Sequence, residues 1–169
     1  MIRYKKDKDN IVTLILDMEG RNQNIINHEV GALIVPVFNY LEEEKVKRKL
    51  KGIIITSNKK NFLVGGDLDY LYQSKDAAAI FKLSQDLQHL YRHLERPGVP
   101  VVAAINGSAL GSGFGLALAC HYRIALDRPD IRLGHPEINL GIIPGGGEVV
   151  RLMWLLGIER AYKILVEGR

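Results

Sequence analysis

The sequence predicts an α/β fold whose neighbouring strands run mainly parallel. Short apolar runs, IVTLIL at 11–16, GIIIT at 52–56 and VVAAI at 101–105, have strand length and no polar alternation, as in strands covered on both faces. Between them lie segments whose apolar residues recur every three or four positions, the mark of helices with one buried face. Strand and helix patterns alternate along the chain, an order that implies parallel strands joined by right-handed crossovers.

Taken in order, the first helix carries Val30, Leu33, Ile34, Val37 and Leu41 on one face, with Pro36 either kinking it or marking its first turn. The turn FLVGGDL at 62–68 precedes a helix beginning near Leu68, which Asp67 is placed to cap. A longer helix shows Ile80, Leu83, Leu87, Leu90 and Leu94 on one face and stops at Arg96-Pro97-Gly98. After VVAAI come a glycine-rich turn, a short helix through Leu116 to Cys120, a strand near Arg123 to Leu126 and a short segment at Ile131 to Leu133. Helices near Glu148 to Leu156 and Glu159 to Val166 follow.

Composition narrows the class. The 169 residues, 47% hydrophobic and 25% charged, suit one soluble domain. A chain of this size buries about two thirds of its unfolded surface, so it needs neither disulfide nor metal to fold. Cys120 is the single cysteine, which excludes an intramolecular disulfide and a four-cysteine zinc site, and no metal site is expected. The charged N-terminus MIRYKKDKDN reads as neither signal nor transit peptide, making the cytoplasm the expected compartment. Residues 97–122 carry no formal charge, yet their prolines and glycines mark a buried strand, turn and helix rather than a membrane span. The net charge of +4 owes much to KVKRKLK at 45–51. EEE at 42–44 precedes it and pairs Glu43 with Lys47 and Glu44 with Arg48 at i,i+4, the pattern of a solvated helix face rather than a nucleic-acid patch.

The strand VVAAI followed by NGSALGSGFG and an apolar helix brings backbone amides close to a ligand. A dinucleotide fingerprint fails, because the sixth position from Gly111 is Leu116 and from Gly113 is Leu118. A phosphate loop fails because no lysine lies between Lys82 and Lys163, and no G-x-S-x-G surrounds Ser108 or Ser112. The remaining chemistry is a pair of glycine-relieved amide sites, one in FLVGGDL and one in GSG, each at a helix entry and able to polarise a carbonyl.

These motifs, FLVGGDL, PVVAAINGSALGSGFGLALACHYRIA at 100–125 and LGHPEINLGIIPGGG at 133–147, resemble in order and spacing the crotonase (enoyl-CoA hydratase/isomerase) superfamily. The segments LALACHYRIA and PGGG are similar to the amino-terminal module of multifunctional fatty-acid oxidation α-subunits. The resemblance implies a crotonase-like β-β-α spiral of the ClpP/crotonase architecture whose C-terminal helical part is missing. Residues 1–169 are then one spiral core, expected to be the N-terminal part of a longer chain. It implies an acyl-CoA thioester as substrate and no permanently bound cofactor. The thioester oxygen would be held by the amides of Gly66 and Ser112, with Glu137 as general acid/base. Gly65, Asp67, Gly111, Gly113, Gly115, Pro136 and Gly145 would line the substrate site. In the full-length protein it implies a homotrimer, with a fused dehydrogenase domain and a thiolase partner, and no role for nucleic acid or membrane.

Two positions depart from the family pattern. Its first catalytic glutamate would stand at Gly115. Hydration in the two-carboxylate enzymes shares water activation and proton delivery between two acids, whereas moving a double bond from C3–C4 to C2–C3 needs one. Isomerase chemistry is therefore favoured over hydration, and a CoA-binding or assembly module without catalysis is the rival. A serine hydrolase using Ser112 with His121 or His135 is a remoter one. The second departure is Glu148, where the family continues with glycine. It is read as a helix N-terminal acid favoured by the dipole rather than as a replacement for the missing acid.

Overall fold

A computed structural model describes residues 2–27, 30–46 and 49–168, and the pairs expected at Glu43–Lys47 and Glu44–Arg48 fall outside them. The first long strands are β1 (Ile2–Lys6), β2 (Ile11–Leu16) and β3 (Gly52–Ser57); β4 (Leu63–Val64) is a two-residue strand. β5 (Val101–Ile105) and β6 (Ala109–Leu110) follow, then β7 (Tyr122–Ala125) and β8 (Leu133–Gly134). The helices are α1 (Val30–Val46), α2 (Leu68–Gln73), α3 (Ala77–Glu95), α4 (Ser112–Ala119), α5 (Glu148–Leu156) and α6 (Ile158–Glu167), with a 3-10 helix at Pro136–Leu140.

Two sheets organise these elements. Five strands pair in the order β1-β2-β3-β5-β7, and three short ones in the order β4-β6-β8. All pairings are parallel except β1 with β2. Each long strand from β3 onward is thus followed by a short strand of the second sheet and then a helical segment: β3-β4-α2/α3, β5-β6-α4, β7-β8 and the 3-10 helix. The first turn has the same form, because Ile26 after β2 bridges in parallel to Gly66 and so extends the second sheet. This is the expected β-β-α spiral. Parallel stacking of one turn on the next sets the N-terminal ends of α2 and α4 side by side, since Leu63 pairs with Ala109 and Val64 with Leu110.

The core lies between the five-stranded sheet and α1, α3 and α4. Val12, Ile53, Phe62, Leu63, Val101, Ala103 and Ile105 are buried in it with Leu90 and Leu94. The three long parallel strands form where their apolar runs predict, but they are not buried equally on both faces: residues alternate between buried and half-buried, because the core fills one face and covers the other only in part. β1 was not legible: it pairs through an exposed antiparallel hairpin closed by Asp7, whose carboxylate accepts from the N–H groups of Asp9 and Ile11. Helix α1 runs through Pro36 rather than starting at it. Helix α4 begins at the glycine triplet, earlier than expected, and Arg123 donates to the carbonyls of Ala117 and Cys120 at its C-terminal end. Among the described residues no helix is long and apolar enough to cross a membrane. The uncharged stretch is β5, β6 and α4.

Candidate functional site

The site grows from two glycine conformations. Gly65 and Gly111 adopt φ of +90° and +53°, which side chains on L residues rarely tolerate. The two loops touch: a Cβ on Gly111 would lie 3.5 Å from the Gly65 Cα. Gly113 is required by proximity, since a Cβ there would fall inside the Leu63 carbonyl. α4 therefore packs directly on β4. The next residues present their amides at helix entries, Ser112 at the first position of α4 and Gly66 two residues before α2. Among the described residues, no acceptor takes a hydrogen bond from either N–H. The N-terminus of α4 adds its partial positive charge to the Ser112 amide.

Glu137, at the second position of the 3-10 helix behind Pro136, turns inward and is 7% exposed. Its Oε1 lies 3.0 Å from the point where a Cβ on Gly111 would stand, so the carboxylate faces the loop that carries the Ser112 amide. His135 Nδ1 is 3.4 Å from the same oxygen, and its ring packs on Phe114. Glu137 Oε2 and His135 Nε2 are buried without a hydrogen-bond partner. Buried polar atoms without partners cost free energy and mark places where function outweighs stability.

Glu148 occupies the first position of α5, as expected, yet its side chain is wholly buried. Oε2 accepts a hydrogen bond from the Gly146 N–H at 2.7 Å, while Oε1 has no partner. Burial, offset in part by backbone N–H groups and His135, and reinforced by Glu137, raises its pKa above the ordinary carboxylate value. A Cβ on Gly115 would lie 2.5 Å from both Cγ and Oε1 of Glu148. The space that a side chain at 115 would fill is thus occupied by this carboxylate.

A surrounding network holds the loops. Tyr91 of α3 is fully buried and its hydroxyl donates to the Ser112 carbonyl. Burial and the nearby Glu148 keep its phenol well above the usual pKa. Arg151 donates to the Gly146 carbonyl at 2.7 Å, pairs with Glu95 at 2.6 Å and lies over the Tyr91 ring. Despite burial, Arg151 and Arg92 hold the Glu95 carboxyl below its usual pKa. Asn24 is buried, bonded to Ser57 Oγ and to the carbonyls of Leu16 and Phe62, and its own carbonyl accepts from the Val64 N–H.

Of the residues expected to line the site, Gly65, Gly66, Gly111, Ser112, Gly113, Gly115 and Glu137 lie in the two adjoining loops, in α4 and against them, and Pro136 opens the 3-10 helix that carries Glu137. Asp67 caps α2 by accepting from the Tyr70 N–H and reaches Arg21. The Gly145 carbonyl accepts from Ser84 and Gln88 of α3. Both are framework groups. Ser112 shares no hydrogen bond with His121 or His135 among the described residues, and His121 accepts from the Val101 N–H instead. Tyr91 was detectable in principle, since it sits four residues after Leu87 and three before Leu94 on the apolar face of α3. Nothing in the sequence points to Arg151 or Asn24. Leu14, Met18, Ile26, Val37, Leu63 and Leu116 bound an apolar cavity that neither Glu137 nor Glu148 lines.

Comparison with known proteins agrees with the fold. A family model described as enoyl-CoA hydratase/isomerase matches residues 7–169. The fatty acid oxidation complex subunit alpha of Shewanella halifaxensis (strain HAW-EB4) is 38% identical over 162 residues, covering 95% of this chain and 22% of that protein. The chain thus spans about a fifth of the length of the curated relatives it matches. A crystal structure of enoyl-CoA hydratase from Bacillus anthracis superposes with a TM-score of 0.87 at 31% identity, over 99% of this chain and 63% of that one. Enoyl-CoA hydratase from Thermoplasma volcanium GSS1 gives 0.88 at 27% identity, over 99% and 64%.

Proposed function

Because the chain belongs to the enoyl-CoA hydratase/isomerase family, we propose that it acts on acyl-CoA thioesters by proton transfer at C2, with Gly66 and Ser112 as oxyanion hole and Glu137 as general acid/base. The observation that carries this reading is the approach of the buried Glu137 carboxylate to the Gly111-Ser112 turn. A thioester carbonyl held by the two free amides would bring its C2 toward that carboxylate.

In double-bond migration, Glu137 removes a proton from C2 of a 3-enoyl thioester. The C–H electron pair moves into C1–C2, and the carbonyl oxygen takes up negative charge that the two amides stabilise. Glu137, whose carboxyl proton exchanges with solvent while the dienolate is held, then protonates C4, giving the 2-enoyl thioester and restoring the Glu137 carboxylate. One acid suffices. A place in a fatty acid oxidation complex belongs to the same proposal, supported by the likeness to the fatty acid oxidation complex subunit alpha; the homotrimer, the fused dehydrogenase domain and the thiolase partner are proposed from the family resemblance of the sequence alone.

The test is turnover of a 3-enoyl-CoA by the purified protein and its Glu137→Gln variant. Loss of a general acid/base costs about 10²- to 10⁴-fold in kcat. A wild-type protein that binds acyl-CoA but turns over neither 3-enoyl nor 2-enoyl thioester is the binding module instead.

A further inference from the structure

We infer that Glu148 is a second catalytic carboxylate of this site, delivered from α5 into the space left open at Gly115, and that it equips the protein for hydration as well as isomerisation. The inference rests on the acyl-CoA reading above and goes beyond it.

Four observations converge. The Glu148 side chain enters the volume above Gly115 so closely that no Cβ fits there, and a Cβ on Gly146 would likewise lie 2.6 Å from its Oε1. Glycine at both positions makes the slot that accepts the carboxylate. The group is fully buried, and among the described residues no lysine or arginine forms a salt bridge with it, so only backbone N–H groups and His135 offset in part the cost of burying it. Oε2 is held by the Gly146 amide, which orients the group, while Oε1 is left unpartnered. Finally, Glu137 approaches α4 at Gly111 and Glu148 approaches it at Gly115. Gly111 is the N-cap of α4 and its carbonyl accepts from the Gly115 N–H at 2.9 Å, so those points lie about one helical turn, roughly 5–6 Å, apart. Two carboxylates so spaced can work on adjacent carbons of one bound chain.

Glu148, as carboxylate, takes a proton from water while the water oxygen bonds to C3 of a 2-enoyl thioester. The C2–C3 π pair shifts into C1–C2, and the thioester oxygen carries the charge between the Gly66 and Ser112 amides. Glu137, as carboxylic acid, then gives its proton to C2 as the carbonyl re-forms. One water is consumed, H and OH add across C2–C3, and proton exchange with solvent resets the two acids.

The experiment compares hydration of crotonyl-CoA with isomerisation of a 3-enoyl-CoA by wild-type protein, Glu148→Gln and the exchange variant Gly115→Glu/Glu148→Gly. We expect the wild type to catalyse both reactions. Glu148→Gln should lose about 10²-fold or more of its hydration kcat, and at least tenfold more of hydration than of isomerisation. Hydration within about threefold of wild type, or equal loss of both reactions, overturns the inference. If Glu148→Gln does not fold, the exchange variant decides: folded and hydrating supports the inference, folded and isomerising only overturns it. A wild type that isomerises without hydrating defeats this inference alone, whereas one that does neither defeats the acyl-CoA reading beneath it.

Discussion

Replacing Gly115 by alanine separates two accounts of α4. In an ordinary helix interior, glycine to alanine stabilises by about 1 kcal/mol. Here the new methyl would lie 2.5 Å from Cγ and Oε1 of Glu148 and 2.9 Å from Cδ. The carboxylate cannot swing into solvent, because it is wholly buried, and moving it breaks the 2.7 Å bond from the Gly146 N–H. Overpacking of this kind costs about 1–3 kcal/mol, so the net change is a loss of roughly 0–2 kcal/mol after the helix gain. The coupling to Glu148→Ala is the cleaner number, because that change removes the carboxylate and the methyl then enters the space it leaves. We expect a coupling energy of about 1–3 kcal/mol in the Gly115→Ala/Glu148→Ala cycle, measured by denaturant unfolding. Thermal melting should follow at about 2–4 °C per kcal/mol for a domain of this size. Gly115→Ala raising stability by about 1 kcal/mol, additively with Glu148→Ala, would refute the contact on which the second carboxylate depends.

Three further outcomes are expected. Ser112→Pro suits the first position of a helix but removes one oxyanion N–H, and should lower kcat by about 10²- to 10³-fold while the protein stays folded; an unimpaired variant would argue against that amide. Glu148 has a native pKa above its unfolded value, so its contribution to stability is present below the unfolded value and lost as pH rises through the native one. Glu148→Gln should therefore gain melting temperature relative to wild type as pH is raised from 4 to 8, since the titratable groups facing it, His135, Glu137 and Tyr91, are common to both proteins; a flat difference would contradict the buried, unpaired carboxylate. Cys120 is buried and its thiol is pushed up to about 12 by burial, so it should resist alkylation at pH 8 in the native protein and react fully on unfolding; rapid native labelling would contradict the packing of α4.

The sequence made the glycine-relieved amides legible because backbone constraints leave residue-type marks: positive φ at Gly65 and Gly111 and close approach at Gly113. The long parallel strands were legible as unbroken apolar runs, although one face of each is only half-buried. Strands β4, β6 and β8 were not, since two residues show no periodicity. Glu137 was carried by its motif, but Glu148 shows where local reading stops. An acid in the first turn of a helix satisfies the dipole whether it faces water or protein. Its inward direction depends on how the PGGG loop docks, which Arg151, Ser84 and Gln88 determine through the carbonyls of Gly145 and Gly146. The contacts from Ser84 and Gln88 join α3 to a residue about sixty positions further on, and only the fold brings them together.

Proton exchange at C2 tests the central claim most directly. The protein is incubated in D2O with a 3-enoyl-CoA, and deuterium at C2 of the recovered thioester is followed by mass spectrometry before the double bond has fully migrated. The account predicts enzyme-dependent exchange that falls about 10²-fold or more in Glu137→Gln. Exchange at the wild-type rate in Glu137→Gln would contradict it.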